Sequence, residues 1–210
     1  MVGRGVLLEC LESPDVESVL VVNRNPLGIQ HPKLKEILHK DFFDLATVAT
    51  EMKGYNACFF CLGVTSAGLA EDAYNHLTYD LTLKFAQTFI GQNPDSVFCY
   101  VSGAGTDSSE KGRMMWARVK GRTENALLAL PFRAAYMFRP GFIEPMKGIK
   151  SKTRLYNALY ILLRPLFPVF RVLPKFATNT INVGKAMISV AINGYERNVI
   201  ECRDINIIAK

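Results

Sequence analysis

Several polar or glycine residues in this chain stand directly after an apolar run: Asn23 and Arg24, Asp41, Gly63, Ser102, and Pro140 with Gly141. If the runs are strands of an open parallel sheet, these residues share one crevice, because such sheets bind ligands beyond the carboxyl ends of their strands. There a guanidinium can pair with a phosphate, a hydroxyl can donate a hydrogen bond, and a glycine lets a ligand approach the backbone. Each type taken singly is also an ordinary turn former. The order and spacing of the set is what points to a site.

Other reactive side chains carry less. Cys58 and Cys61 form a C-x-x-C string, but residues i and i+3 of a strand face opposite ways, which suits core thiols better than a shared metal or a disulfide. His31, His39 and His76 have no ligand spacing. No metal site is expected. Tyr100 lies two residues before Ser102 and would share its sheet face. It is the nearest phenol in sequence, and a core role competes with a chemical one.

Strand-length apolar runs occur at Val19 to Val22, Ile37 to His39, Ala57 to Leu62, Val97 to Val101, Ala134 to Phe138 and Val199 to Cys202. Between them lie helix-period segments: one around Val6, Leu7, Cys10 and Leu11, then Ala73 to Ile90, Met115 to Leu130 and Thr180 to Ile192. Strands alternating with helices predict an α/β fold, a Rossmann-like doubly wound parallel sheet. Such a domain starts with a strand and a glycine turn, whereas this sequence opens on helix. The expectation is that the first strand is missing from residues 1–210 and that Met1 is an internal methionine, with a genuine truncation as the alternative.

The length of 210 residues suits one domain. Five cysteines and no secretory leader pattern suggest free thiols in a reducing, cytoplasmic setting. Residues 1–110 hold 7 Lys/Arg and 14 Asp/Glu, while residues 111–210 hold 18 and 5. A basic half favours an anionic partner, such as a phosphorylated cofactor, an acidic substrate or anionic lipid, or it is a solvated face balanced by the other half. Nucleic acid is not expected, since charge is unaccompanied by any recognisable module.

The segment V-S-G-A-G-T-D-S-S-E-K-G-R-M-M-W-A-R-V-K-G-R-T-E-N, followed by F-R-P-G, resembles atypical short-chain dehydrogenase/reductases of the epimerase-like kind and is similar to the Tat-interacting oxidoreductase group. The resemblance covers Met1 to about Gly141. It implies a catalytic Ser at Ser102 and a Tyr-x-x-x-Lys pair whose lysine is Lys120. The tyrosine position holds Trp116, and an indole N–H does not exchange its proton as an acid at neutral pH. The family's proton relay is therefore absent. Lys120 would bind the nicotinamide ribose and Ser102 would orient a substrate carbonyl. Of the family's G-x-x-G-x-x-G turn only Gly3 is matched. Asp41 aligns with the adenine-contacting aspartate, and Gly63 and Pro140 end cofactor-facing strands. Asn23 and Arg24 replace the carboxylate that would select NAD, and with Arg4 they favour NADP over NAD.

Residues 142–178 are expected to cover the substrate. Within them, the basic and apolar stretch 147–176 offers a lid or, as second choice, a peripheral membrane contact. Two functions remain open: an NADP-dependent oxidoreductase or epimerase-like enzyme acting on a small, apolar substrate, or a non-catalytic dinucleotide-binding sensor, scaffold or assembly factor.

Overall fold

A computed structural model of the chain describes residues 1–149 and 175–210. The order of elements is α1 (Val2–Glu12), β1 (Val19–Asn23), β2 (Leu34–Leu38), α2 (Ala46–Ala49), β3 (Ala57–Phe60), α3 (Glu71–Asn75), α4 (Leu81–Gln92), β4 (Val97–Val101), α5 (Met115–Leu128), β5 (Ala134–Arg139), β6 (Phe142–Glu144), β7 (Ala177–Asn179), α6 (Thr180–Asn193), β8 (Val199–Glu201) and α7 (Cys202–Ile208). The expected substrate-covering segment falls largely on residues 150–174, outside the described residues.

The strands pair in parallel. β3, β4, β5 and β8 form one four-stranded sheet in that order, and β1 pairs with β2 in a second. In the doubly wound order 3-2-1-4-5-6, β2 and β1 stand as the third and second strands and β3 as the fourth. The sheet is thus divided at the place of the first strand. α1 bridges the division, packing against both β1 and β3. Among the described residues, only the three-residue strands β6 and β7 lie outside these two sheets.

Two cores flank the main sheet, and β4 shows why. Phe98 and Tyr100 point into a cluster with Phe60, Phe85, Phe89, Leu127 and Met137. Val97 and Cys99 point into the other, with Val6, Cys10, Phe138, Val183, Met187 and Ile200. The alternation is the period of two of a strand, and burial on both faces is why β4 reads as a continuous apolar run. Full burial of each such large side chain contributes about 1.5–3 kcal/mol, so β4 is the most firmly held platform for whatever follows it.

Some boundaries differ from those the sequence suggests. β2 begins at Leu34, earlier than Ile37, and β3 ends at Phe60. The expected helix Ala73 to Ile90 is α3 and α4 joined through a π-helical turn, His76–Asp80. Cys202 opens α7 instead of closing a strand, because Glu201 and Asp204 form a reciprocal capping box there.

Candidate functional site

The end of β4 and the inner face of α5 form the most connected polar site among the described residues. Trp116, Lys120 and Glu124 stand at four-residue steps on α5, hence on one helical face. Ser102 follows β4 directly and is buried. Its hydroxyl donates to Glu124 Oε1 at 2.5 Å and lies 3.1 Å from the Phe138 carbonyl. Lys120 Nζ donates to the Ser102 carbonyl oxygen. One strand-end residue is therefore gripped twice from the same helix, one turn apart.

Glu124 is fully buried and needs compensation. Arg139, the last residue of β5, supplies it. Its Nε lies 3.1 Å from Oε1 and 3.2 Å from Oε2, and Nη2 also donates to Oε2. Arg139 Nη2 reaches Ser108 Oγ at 2.5 Å, and Nη1 lies 3.3 Å from Glu201. The hydroxyl proton of Ser102 is thus committed to Glu124. Neither Glu124 nor Arg139 was expected at the site. The available signal was a carboxylate four residues after Lys120, on the Trp116–Lys120 face.

Lys120 is partly buried. Removal from water lowers its ammonium pKa from 10.5 to about 8, with the Glu124 carboxylate pulling the other way. Tyr100 is buried in the core, and desolvation pushes its phenol far above the ordinary value of 10. Tyr74, also buried, is raised for the same reason. Trp116 lies over the loop after β4: a Cβ built on Gly105 would stand 3.4 Å from its ring. That loop is held to the end of β5 by Ala104 N–H donating to the Pro140 carbonyl at 2.9 Å.

A second group of expected residues gathers around α1. A Cβ on Gly3 would lie 3.1 Å from Cys61 Cβ, just after β3, so glycine eases a tight helix-to-strand approach here. The first turn of α1 has no side-chain cap and no acidic residue, which suits an anion. Arg4 is exposed there, and Gly63 has no atom within 4 Å of a built Cβ. Asn23, at the end of β1, donates from Nδ2 to Glu36 Oε1 at 3.1 Å, and the same oxygen accepts Leu27 N–H at 2.9 Å. Arg24 is exposed. A carboxylate thus does stand beside Asn23, contributed by β2. Asp41 is exposed, with Oδ1 accepting from Phe43 N–H in its own loop. These positions fit a dinucleotide: a helix start without a side-chain cap, glycines at the start of α1 and after β3, and polar side chains after β1 and β2.

The cysteines do not join this chemistry. Cys58 packs in one core and Cys61 in the other. Burial raises the Cys10 and Cys61 thiols to about 12. Among the described residues no group of three His, Cys, Asp or Glu could hold a metal, and no helix is long and apolar enough to cross a membrane. An open depression of about 400 Å³ lined by Phe43, Tyr79, Asp80, Leu83, Lys84 and Gln87 contains none of the residues named at the strand ends.

Solved structures share this architecture. WbmF of Bordetella bronchiseptica, in complex with NAD+, superposes with a TM-score of 0.64 over 98% of this chain and 73% of its own, at 15% identity. A short-chain dehydrogenase/reductase superfamily protein of Agrobacterium tumefaciens with bound NAD gives 0.66 over 95% and 73%, at 10% identity. The chain thus shares the Rossmann fold of these NAD-binding proteins. No family model matches the chain. In sequence it is similar to the mitochondrial protein FMP52-1 of Scheffersomyces stipitis, 24% identical over 79% of this chain and 75% of that protein. It is also similar to the HTATIP2 protein of Rattus norvegicus, 26% identical over 67% of this chain and 58% of that protein.

Proposed function

We propose that this protein is a nicotinamide-dinucleotide-dependent oxidoreductase of the short-chain type acting on a small, apolar alcohol or carbonyl compound. The observation that carries this reading is the joining of Ser102, Lys120 and Glu124 at the end of β4, on a fold whose solved relatives hold NAD. When bound, the nicotinamide supplies a hydride acceptor or donor. The chain's own residues do the rest. The first turn of α1 faces the pyrophosphate, and Gly3 and Gly63 admit it. Ser102 and Lys120 hold the nicotinamide end beside the substrate.

NADP is the proposed form, because exposed Arg4 and Arg24 suit a 2′-phosphate; Glu36 beside Asn23 acts against it. Residues 147–176 are proposed as a substrate lid, with a peripheral membrane contact as the alternative for the same stretch. A cytoplasmic location is proposed from free cysteines, although the FMP52-1 relative is named mitochondrial.

A second reading is favoured by Trp116, which leaves the tyrosine position without an acid: a dinucleotide-binding sensor, scaffold or assembly factor without turnover. Titrating the full chain with NADPH and NADH, followed by nucleotide fluorescence, tests both. Binding in the micromolar range is expected, tighter for NADPH. No change with either nucleotide removes both readings.

A further inference from the structure

Hydride transfer to or from a carbonyl carbon is matched by a proton at oxygen, and this site has few groups able to carry one. The Trp116 indole is no acid. The Ser102 hydroxyl donates to Glu124, and both Glu124 oxygens are engaged by the Arg139 guanidinium. Tyr100 and Tyr74 are buried in the core. Lys120 is left. Its Nζ sits at the C-terminal end of β4, one turn along α5 from the position where a phenol would stand, and among the described residues one of its N–H groups is engaged, by the Ser102 carbonyl. An ammonium has three donors, so two remain for a ligand.

We propose that Lys120 is itself the proton carrier of this site. In the oxidative direction neutral Lys120 Nζ takes the hydroxyl proton of a secondary alcohol as the C–H pair of electrons leaves with its hydrogen for an oxidised nicotinamide. The products are a ketone, the reduced nicotinamide and the Lys120 ammonium. In the reductive direction the ammonium returns the proton to the carbonyl oxygen. Among the described residues the charged groups around it are Glu124 on its own helix and, beyond that carboxylate, Arg139 of β5; from the end of β4 it meets the Ser102 backbone oxygen. The lowered ionisation of Lys120 supports the geometry, since a proton carrier works best when it titrates near the working pH.

This inference rests on the oxidoreductase reading, and the experiment separates the two. Residues 1–210 are acetylated with limiting acetic anhydride between pH 6 and 11, and the rate at Lys120 is followed by mass spectrometry. Half-maximal reactivity is expected near pH 8; a midpoint above 10 overturns the inference and leaves the oxidoreductase reading intact. In parallel, NADP+ reduction is measured with cyclohexanol and 1-phenylethanol, and NADPH oxidation with the matching ketones. Oxidative kcat/KM should rise about tenfold per pH unit and level near pH 8. Lys120→Arg, which keeps a donor for ribose but never deprotonates, should lose at least 100-fold in kcat measured at saturating nucleotide. Turnover retained in Lys120→Arg, or no turnover of any probe by wild type that binds NADPH, overturns it. Failure of wild type to bind NADPH overturns the oxidoreductase reading instead.

Discussion

The Ser102 hydroxyl donates to Glu124 Oε1 at 2.5 Å, and Arg139 forks the same carboxylate from the end of β5. The end of β4, helix α5 and the end of β5 are thereby fastened around one buried charge. Ser102 so engaged offers a ligand its oxygen lone pairs instead of its proton. The site's donor is Lys120.

Removing one partner of a buried ion pair leaves the other uncompensated, at a cost of about 3–5 kcal/mol. Glu124→Ala should lose that much stability in urea denaturation. Ser102→Ala leaves the Glu124–Arg139 pair standing and should lose about 1 kcal/mol. A Glu124→Ala loss no larger than that of Ser102→Ala would contradict the network.

Lys120 also makes stability depend on pH. Its ammonium has an ordinary pKa of 10.5 when unfolded and about 8 in the fold. Between these values the unfolded chain binds more protons, so stability rises with pH. Below pH 8 both states are charged and the full destabilisation is present; above 10.5 both are neutral and it is gone. Urea midpoints should therefore contain a rising component between pH 8 and 10.5 in wild type that is missing in Lys120→Met. Parallel curves for the two proteins would refute the assignment.

Much of this arrangement is legible in the sequence, for physical reasons. β4 and β5 stand out because strands buried on both faces must be apolar throughout. Gly3 is placed by its motif, and its cause is the 3.1 Å approach to Cys61. Glu124 and Arg139 are not legible as a pair, because they lie on different elements and meet only once α5 has packed on β5. Glu36 escapes the reading for the same reason: its strand is β2, whereas its carboxylate serves the turn after β1. β6 and β7 are three residues each and pair across a long separation, which no local pattern reveals.

The proposed NADP preference is tested at Arg24 and Glu36. Arg24→Ala should weaken NADPH binding about tenfold and leave NADH nearly unchanged, since only the former carries a 2′-phosphate. Glu36→Gln removes a negative charge near Asn23 and should shift preference further toward NADPH. Equal effects of Arg24→Ala on both nucleotides, read by fluorescence titration, would place the 2′-phosphate elsewhere.

Helix contacts give a contrast between two glycines. A Cβ on Gly184 of α6 would lie 2.6 Å from Glu9 Cγ and 2.8 Å from Glu9 Cβ of α1. Gly184→Ala should cost about 1–3 kcal/mol by overpacking. It should also weaken dinucleotide binding, because α1 carries the turn proposed to face the pyrophosphate. Gly91 of α4 is exposed and a Cβ there meets nothing within 4 Å, so Gly91→Ala should stabilise by about 0.4–1 kcal/mol. Thermal denaturation of both variants reads the sign directly.

Trp116→Tyr tests what the indole removes. A phenol at this position would stand one turn before Lys120 on the same face of α5, where the ammonium would lower its pKa and make it a second proton donor. The variant should reduce a panel of ketones with NADPH about tenfold faster than wild type. That gain is smaller than the 10²–10⁴-fold attached to a sole acid, because Lys120 already supplies a proton. Trp116→Phe keeps an aromatic ring over Gly105 without the hydroxyl and should show no gain. If Trp116→Tyr is no faster than wild type, the indole is not what limits proton delivery. If Trp116→Phe gains as much as Trp116→Tyr, the effect comes from ring size over the Gly105 loop and not from the phenol.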